Sequence, residues 1–395
     1  MKDNARNNDA QKIVTELDNY VQRRMEAANL PGLAAALIKN GTLIWSKGYG
    51  LADVERRRPA TPSTVFKLAS LSKLVTTITV LKAVEEGHFG LDDDVNKHLP
   101  FDVRNPNHPS AQITPRMLLS HTSSLRDNEA VLEGLYMPVD DHTPLRQFLK
   151  SYLTRDERYY DATLNFTDWE PGCGFEFSSI GMSLAAYLVE RNAGQSFDRY
   201  ATTHVLEPLG ITGAAWRIQN LNGAETALPY RYRKLNDVYE SFGMYSIPNY
   251  PDSGLHCSAE QLAGVFRVIG GDAEGYDILK PETVRMMRDC HFPGHAEGVG
   301  LGCYWEERNG MALLGHAGAD HGVANRLFWY PMENMGVITL SNGEPTTKAH
   351  WALAAIETRL FQAAHAIESL RHTSVEPPAM DQPATVVPFR QRQAS

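Results

Sequence analysis

The sequence predicts an α+β fold, with one antiparallel sheet, helices on both of its faces, and a mainly helical region beside it. Three observations predict it. β-capable runs occur near both ends of the 395-residue chain and hardly at all between them. A helix-period segment borders each set of runs. The stretch 91–249 is rich in Pro, Asn and Asp loops and in helical patterns, with little strand alternation. The sheet region is therefore expected to be discontinuous, 10–90 plus 250–370, with 91–249 as the helical domain. Residues 371–395, rich in Pro, Gln and Ser, are expected to be a disordered tail.

Ile13, Leu17, Val21 and Met25 recur every fourth residue, an amphipathic helix that ends before Pro31-Gly32. Leu33–Ile38 and Thr42–Trp45 flank Asn40-Gly41, a pair that suits a tight hairpin because both turn residues tolerate positive φ. Leu68–Glu86 reads as a mostly apolar helix stopped by Gly87 in the left-handed capping position. Ser258, with Gln261 three residues on, fits a capping box at a helix start. Ala312–Gly315, Val323–Tyr330 and Gly336–Leu340 read as strands, the last two joined by a hairpin-length link. Ala349–Leu370 closes the series as a helix.

Composition excludes several functions. Lys and Arg number 38 against 47 Asp and Glu, a net charge of −9 with no dense basic stripe, which argues against a nucleic-acid binder. No 18-residue apolar run exists, so no membrane span is expected. Residues 1–12 lack a basic-then-apolar leader pattern, which favours a cytoplasmic location. The four cysteines, at 173, 257, 290 and 303, form no CxxC pair. Cys290-His291 and His295 lack a second pair to complete a four-ligand zinc site, so neither metal nor cofactor is expected. A small molecule is the expected partner, and the oligomeric state is left open.

The chemistry centres on Ser70-Leu-Ser-Lys73, the one Ser-x-x-Lys in the chain. Helical spacing puts residues three apart on one face, so the Lys73 amine can reach the Ser70 hydroxyl. Serine is a poor nucleophile until a base takes its proton, and a desolvated, uncharged lysine is such a base. A helix start also aims N–H groups at a developing oxyanion.

Pro31–Gly41, Gly48–Asp53, Thr61–Lys73, Gly87–Val95, Ile113–Ser124, Pro171–Gly181, Gly254–Ser258 and Gly315–Gly318 together resemble the serine β-lactamase and penicillin-binding-protein-like family. The resemblance is nearest to class C β-lactamases and the related esterases and D-aminopeptidases. It implies the class C fold and an acyl-enzyme on Ser70, with Lys73 handling the proton. It places His316-Ala317-Gly318 on the third motif, where the strand edge binds the substrate carbonyl. It also pairs the Ala319 N–H with that of Ser70 as the oxyanion hole. A side chain at Gly318 would hinder close backbone approach.

The second motif departs from the pattern. The family has Tyr-x-Asn where this chain has Phe177-Ser178-Ser179, so the relaying phenol is missing and position 177 cannot do acid–base work. Ser179 can still hydrogen-bond Lys73. Three readings stay open. Lys73 is the base with His316 as the acid; or His321, Tyr245 or Tyr160 enters the site; or the chain binds a ligand without turnover. With His316 in place of the usual lysine, recognition of a β-lactam carboxylate is less secure, which favours an esterase, peptidase or transacylase. His121 and Thr122 are expected to buttress the cleft.

Overall fold

The structure is a computed structural model that describes residues 2–138, 142–221, 225–270 and 278–373. Helix α1 (Lys2–Ala28) leads into β1 (Gly32–Lys39) and β2 (Thr42–Asp53). Asn40 and Gly41 between them take φ of 48° and 67°, the tight turn their chemistry favours. Short strands β3 (Arg58–Pro59) and β4 (Val65–Lys67) follow, then a 3₁₀ turn, Ala69–Leu71, and helix α2 (Ser72–Glu85). The expected helix thus begins at Ser72 rather than Leu68. Ala69 interrupts it at a left-handed φ of 50°, which right-handed helical backbone does not allow.

The middle of the chain is largely loops and helices, with helix α3 (Ser179–Ala193) at its centre. It also holds a hairpin that strand alternation did not reveal, β5 (Tyr230–Arg233) with β6 (Val238–Ser241). The chain returns through β7 (His256–Ser258), β8 (Tyr304–Arg308), β9 (Met311–Asp320), β10 (Val323–Tyr330) and β11 (Met335–Ser341) to helix α4 (Thr347–Thr373). The helix runs past the expected end at Leu370; most of the expected tail, 374–395, lies outside the described residues. Ser258 caps the helix after β7 by accepting the Gln261 N–H, but the Gln261 amide turns to the Gly213 N–H, so the capping box is only half formed.

Seven strands form one antiparallel sheet in the order β3-β2-β1-β11-β10-β9-β8. Strand β1 lies beside β11, with Ala36 opposite Ile338, so the first and last strands of the chain meet mid-sheet. Alternation along β1 divides the core. Ala34, Ala36 and Ile38 face α2 and the helical region, while Leu33, Ala35 and Leu37 face α1 and α4. Helices cover both faces, which is why β1 reads as a continuous apolar run instead of an alternating one. Among the described residues no helix is long and apolar enough to cross a membrane.

On the α1–α4 side a charge network centred on two buried residues, Arg326 and Glu357, lies beneath the helices. Glu357, fully buried, accepts from Arg326 Nε at 2.8 Å and from Arg308 Nη1 at 2.6 Å. Glu306 accepts from Arg326 Nη2 at 2.7 Å. Arg326 stands opposite Ala317 across the β9–β10 ladder, so this network underpins the strand that carries the third motif.

Candidate active site

Strand β4, paired with β7 apart from the main sheet, delivers Ser70 into the turn before α2. Three contacts hold that turn. Leu68 N–H donates to the Leu255 carbonyl at 2.8 Å, and Asn325 Nδ2 reaches the Lys67 and Leu68 carbonyls at 2.8 and 3.1 Å. Gly318 of β9 presses against the turn so closely that a Cβ there would lie 2.4 Å from Leu68 O and 3.1 Å from Leu71 N. Gly318→Ala should therefore push β9 off the turn, costing about 1–3 kcal/mol as overpacking does. The denaturation midpoint reads that loss, and an unchanged midpoint would show that the strand yields without strain.

Lys73, wholly buried on the first turn of α2, donates to Ser70 Oγ at 3.0 Å. It also donates to Asp252 Oδ2 at 3.1 Å and to Ser179 Oγ at 3.3 Å. The Asp252 carbonyl, at 3.4 Å, is a fourth acceptor within reach of the amine. Where an uncharged amine was expected, the structure sets Lys73 at ion-pair distance from Asp252, with both groups buried. The ammonium is nonetheless turned toward Ser70.

Asp252 is the partner that sequence reasoning missed. Burial, foremost, raises its pKa above the ordinary carboxylate range, against the opposing pull of Lys73. Its other oxygen accepts from Asn249 Nδ2 at 2.7 Å. Its segment is strapped to both neighbouring helices, by Thr76 Oγ1 to the Pro251 carbonyl at 2.6 Å and by Ser183 Oγ to the Asn249 carbonyl at 3.2 Å.

Beyond β8 the edge of β9 from His316 to Asp320 is open, since β8 pairs only as far as Tyr304 opposite Gly315. Ala317 N–H points out along this edge, donating to Tyr304 Oη at 3.1 Å. Strand alternation turns the Ala319 N–H the same way. An open strand edge, a Ser–Lys pair and a helix start thus meet in one cleft.

Known proteins share this arrangement of chain. The family described as beta-lactamase matches residues 17–358. The chain belongs to the beta-lactamase family. Protein flp of Staphylococcus aureus (strain MRSA252) is 24% identical over 335 residues, 85% of this chain. The chain spans only 63% of that relative's length. Esterase EstB of Burkholderia gladioli is 31% identical over 209 residues, 51% of each chain. A class C beta-lactamase from Rhodobacter sphaeroides superposes with a TM-score of 0.65 at 18% identity, covering 87% of this chain and 99% of that one. The α+β fold expected from the sequence, in its class C form, is the observed fold.

This member of the beta-lactamase family departs from the expected site in its polar groups. Phe177 holds the place of the absent phenol. Its ring stacks on His121, with centroids 4.5 Å apart, and lies 4.9 Å from Lys73 Nζ, a cation–π contact. His121 is buried and accepts the Ser178 N–H at 3.1 Å. Ser178 caps α3, and Asp127 accepts the Ser179 and Ile180 N–H groups at 2.8 and 3.0 Å. Ser179 is thereby fixed at the helix start, facing Lys73.

His316 lies on the same side of β9 as Gly318, in surroundings that disfavour the expected acid role. Burial first, and the Lys73 charge second, push its pKa down to about 3, and its Nδ1 hydrogen-bonds the Ala317 carbonyl. The ring is therefore neutral at pH 7 and has no proton to lend as an imidazolium.

The other candidates are committed elsewhere. His321 sits at the rim, its Nε2 on Glu133 at 3.2 Å and its ring stacked on Phe242. Tyr245 donates to the His321 carbonyl at 2.8 Å, and Tyr160 packs against Phe166. Tyr245 also underlies a second buried ion pair, Lys67 with Asp320 at 3.8 Å. Burial lowers the Lys67 pKa, while Asp320 and Asp252 pull it back up. Cys257 and Cys303 are buried, and Cys290 Sγ donates to the Ala296 carbonyl at 3.3 Å.

Proposed function

We propose that this chain is a serine hydrolase or acyltransferase that opens an ester or amide through an acyl-enzyme on Ser70. The observation that carries the reading is the 3.0 Å contact between Lys73 Nζ and Ser70 Oγ at the open edge of β9. In this scheme Ser70 Oγ attacks the acyl carbon and Lys73 manages its proton. The N–H groups of Ser70 and Ala319 receive the oxyanion, a donor pair of which each member is typically worth about 10²–10³ in rate. Water or another acceptor then releases the acyl group.

The substrate class follows from charge. His316 is neutral at pH 7, so the third motif offers no fixed cation to a β-lactam carboxylate. The mouth is lined by the exposed rings of Phe175 and Phe177, which suit an uncharged acyl donor. An esterase, peptidase or transacylase is the resulting assignment, and the esterase among its relatives is in keeping with it.

Turnover of p-nitrophenyl butyrate tests this. The wild-type chain should release nitrophenolate and Ser70→Ala should not. Equal release by both chains would sink the assignment, and release by neither would favour a ligand-binding role. Because Phe177 touches Lys73 only through its ring, Phe177→Tyr should leave the rate unchanged or raise it. A large drop would show that the ring itself is needed.

A further inference from the structure

The resting site contains a chemical obstacle. Lys73 lies at ion-pair distance from Asp252, 3.1 Å, with Ser70, Ser179 and the Asp252 carbonyl also within reach, and an ammonium so paired has no lone pair with which to accept the serine proton. The amine must lose a proton before it can act as a base, and the site is closed to water at that nitrogen. The groups around it differ in what they can accept. Ser179 is a neutral hydroxyl. His121 and His316 are both held far below the ordinary histidine pKa by burial, with the Lys73 charge opposing protonation. Asp127 is occupied by the Ser179 and Ile180 N–H groups and by Ser178 Oγ at 3.3 Å. Among the described residues, Asp252 is the carboxylate that touches Lys73.

Given the acyl-enzyme reading above, on which this rests, we propose that Asp252 takes over the proton-holding duty of the missing phenol, as the reversible acceptor of a Lys73 proton. The balance is as follows. A Lys73 N–H proton moves to Asp252 Oδ2 while the Ser70 O–H proton moves to the vacated nitrogen. The Ser70 oxygen pair forms the bond to the acyl carbon, and the carbonyl π pair goes to the oxyanion. On collapse the bond to the leaving group breaks, the leaving group takes a proton from Lys73, and Asp252 returns its own to the amine. Serine's proton ends on the leaving group, and the ion pair is restored.

The surroundings suit the exchange. Moving one proton within the pair converts two buried charges into two neutral groups, which a dry interior tolerates at least as well. Burial and the nearby Asp127 charge favour a protonated Asp252, while Lys73 favours the carboxylate, and Lys67 lies on the same side from β4. Asn249 and the Thr76 and Ser183 straps keep the carboxylate in place through the cycle. Asp252 acts through Lys73, so it is a positioning and proton-holding residue.

The experiment is the pH dependence of Ser70 acylation by p-nitrophenyl butyrate, whose leaving group needs no proton. It compares wild type, Asp252→Asn and Asp252→Glu. Wild type should show an acid limb set by the pair. In Asp252→Asn, with no carboxylate to hold the proton, that limb should no longer coincide with the wild-type one, and the rate at pH 7 should fall by about 10²–10⁴-fold. Asp252→Glu should restore part of both. An Asp252→Asn profile that keeps the wild-type limb, whether or not the whole curve drops, would overturn the relay and leave Asp252 a structural ion.

A proton inventory on the wild-type chain requires no variant. Two protons in flight give a curved dependence on deuterium content, and a straight line contradicts the proposal. Absence of any acylation in the wild type overturns the hydrolase reading and the relay together, whereas acylation with an unmoved limb overturns the relay alone.

Discussion

Lys73→Met should cut the rate of Ser70 acylation by about 10²–10⁴-fold, the usual contribution of a positioned proton-transfer group. Methionine keeps most of the aliphatic volume and removes the ammonium, so the loss is one of chemistry and charge more than of packing. The same change should destabilise the fold. Lys73 is wholly buried and Asp252 nearly so, and stripping one partner from a buried ion pair costs about 3–5 kcal/mol. The two effects separate in the double variant Lys73→Met, Asp252→Leu. Replacing both charges by apolar groups should recover much of the stability and none of the acylation. Single-turnover kinetics and denaturation midpoints check both halves. Wild-type acylation in Lys73→Met would remove lysine from the mechanism.

An equally large expected effect on stability lies on the other side of the sheet. Glu357→Ala strips the fully buried carboxylate from Arg326 and Arg308, and Arg326 is itself only 1% exposed. Glu306 remains as a partner at 2.7 Å, yet the stranded guanidinium charge should cost about 3–5 kcal/mol. Because Arg326 stands opposite Ala317, the loss falls on the strand pair that carries the open edge. Glu357→Gln keeps the hydrogen-bond acceptor and should cost less. A midpoint for Glu357→Ala within error of wild type would mean that the network is neutral to stability.

Much of this was legible in the sequence because it is local. Asn40-Gly41 specifies its turn through two positive φ values, Gly87 stops α2, and Ser70 and Lys73 meet because helical spacing brings them together. The third motif was legible as a string set on a strand edge, but the extent of its strand was not. Strand character was read over Ala312–Gly315, and β9 runs on to Asp320 because pairing with β10 continues. What the sequence hid is long-range. Asp252 meets Lys73 across 179 positions, from an irregular segment with no periodicity, and nothing nearby marks its carboxylate as buried. Its one signal is a charged residue inside Tyr250–Ser258, a stretch otherwise fit for the core. His316 illustrates a related point: residue type announces an acid–base group, but burial decides whether it holds a proton.

The most direct test of the account is the site of covalent attachment. The wild-type chain is mixed with p-nitrophenyl butyrate, quenched in acid within one turnover, and mapped by peptide mass spectrometry. A butyryl group on Ser70, absent from Ser70→Ala and scarce in Lys73→Met, is the predicted result. Turnover without any adduct at Ser70, or an adduct on another residue that persists in Ser70→Ala, would contradict it.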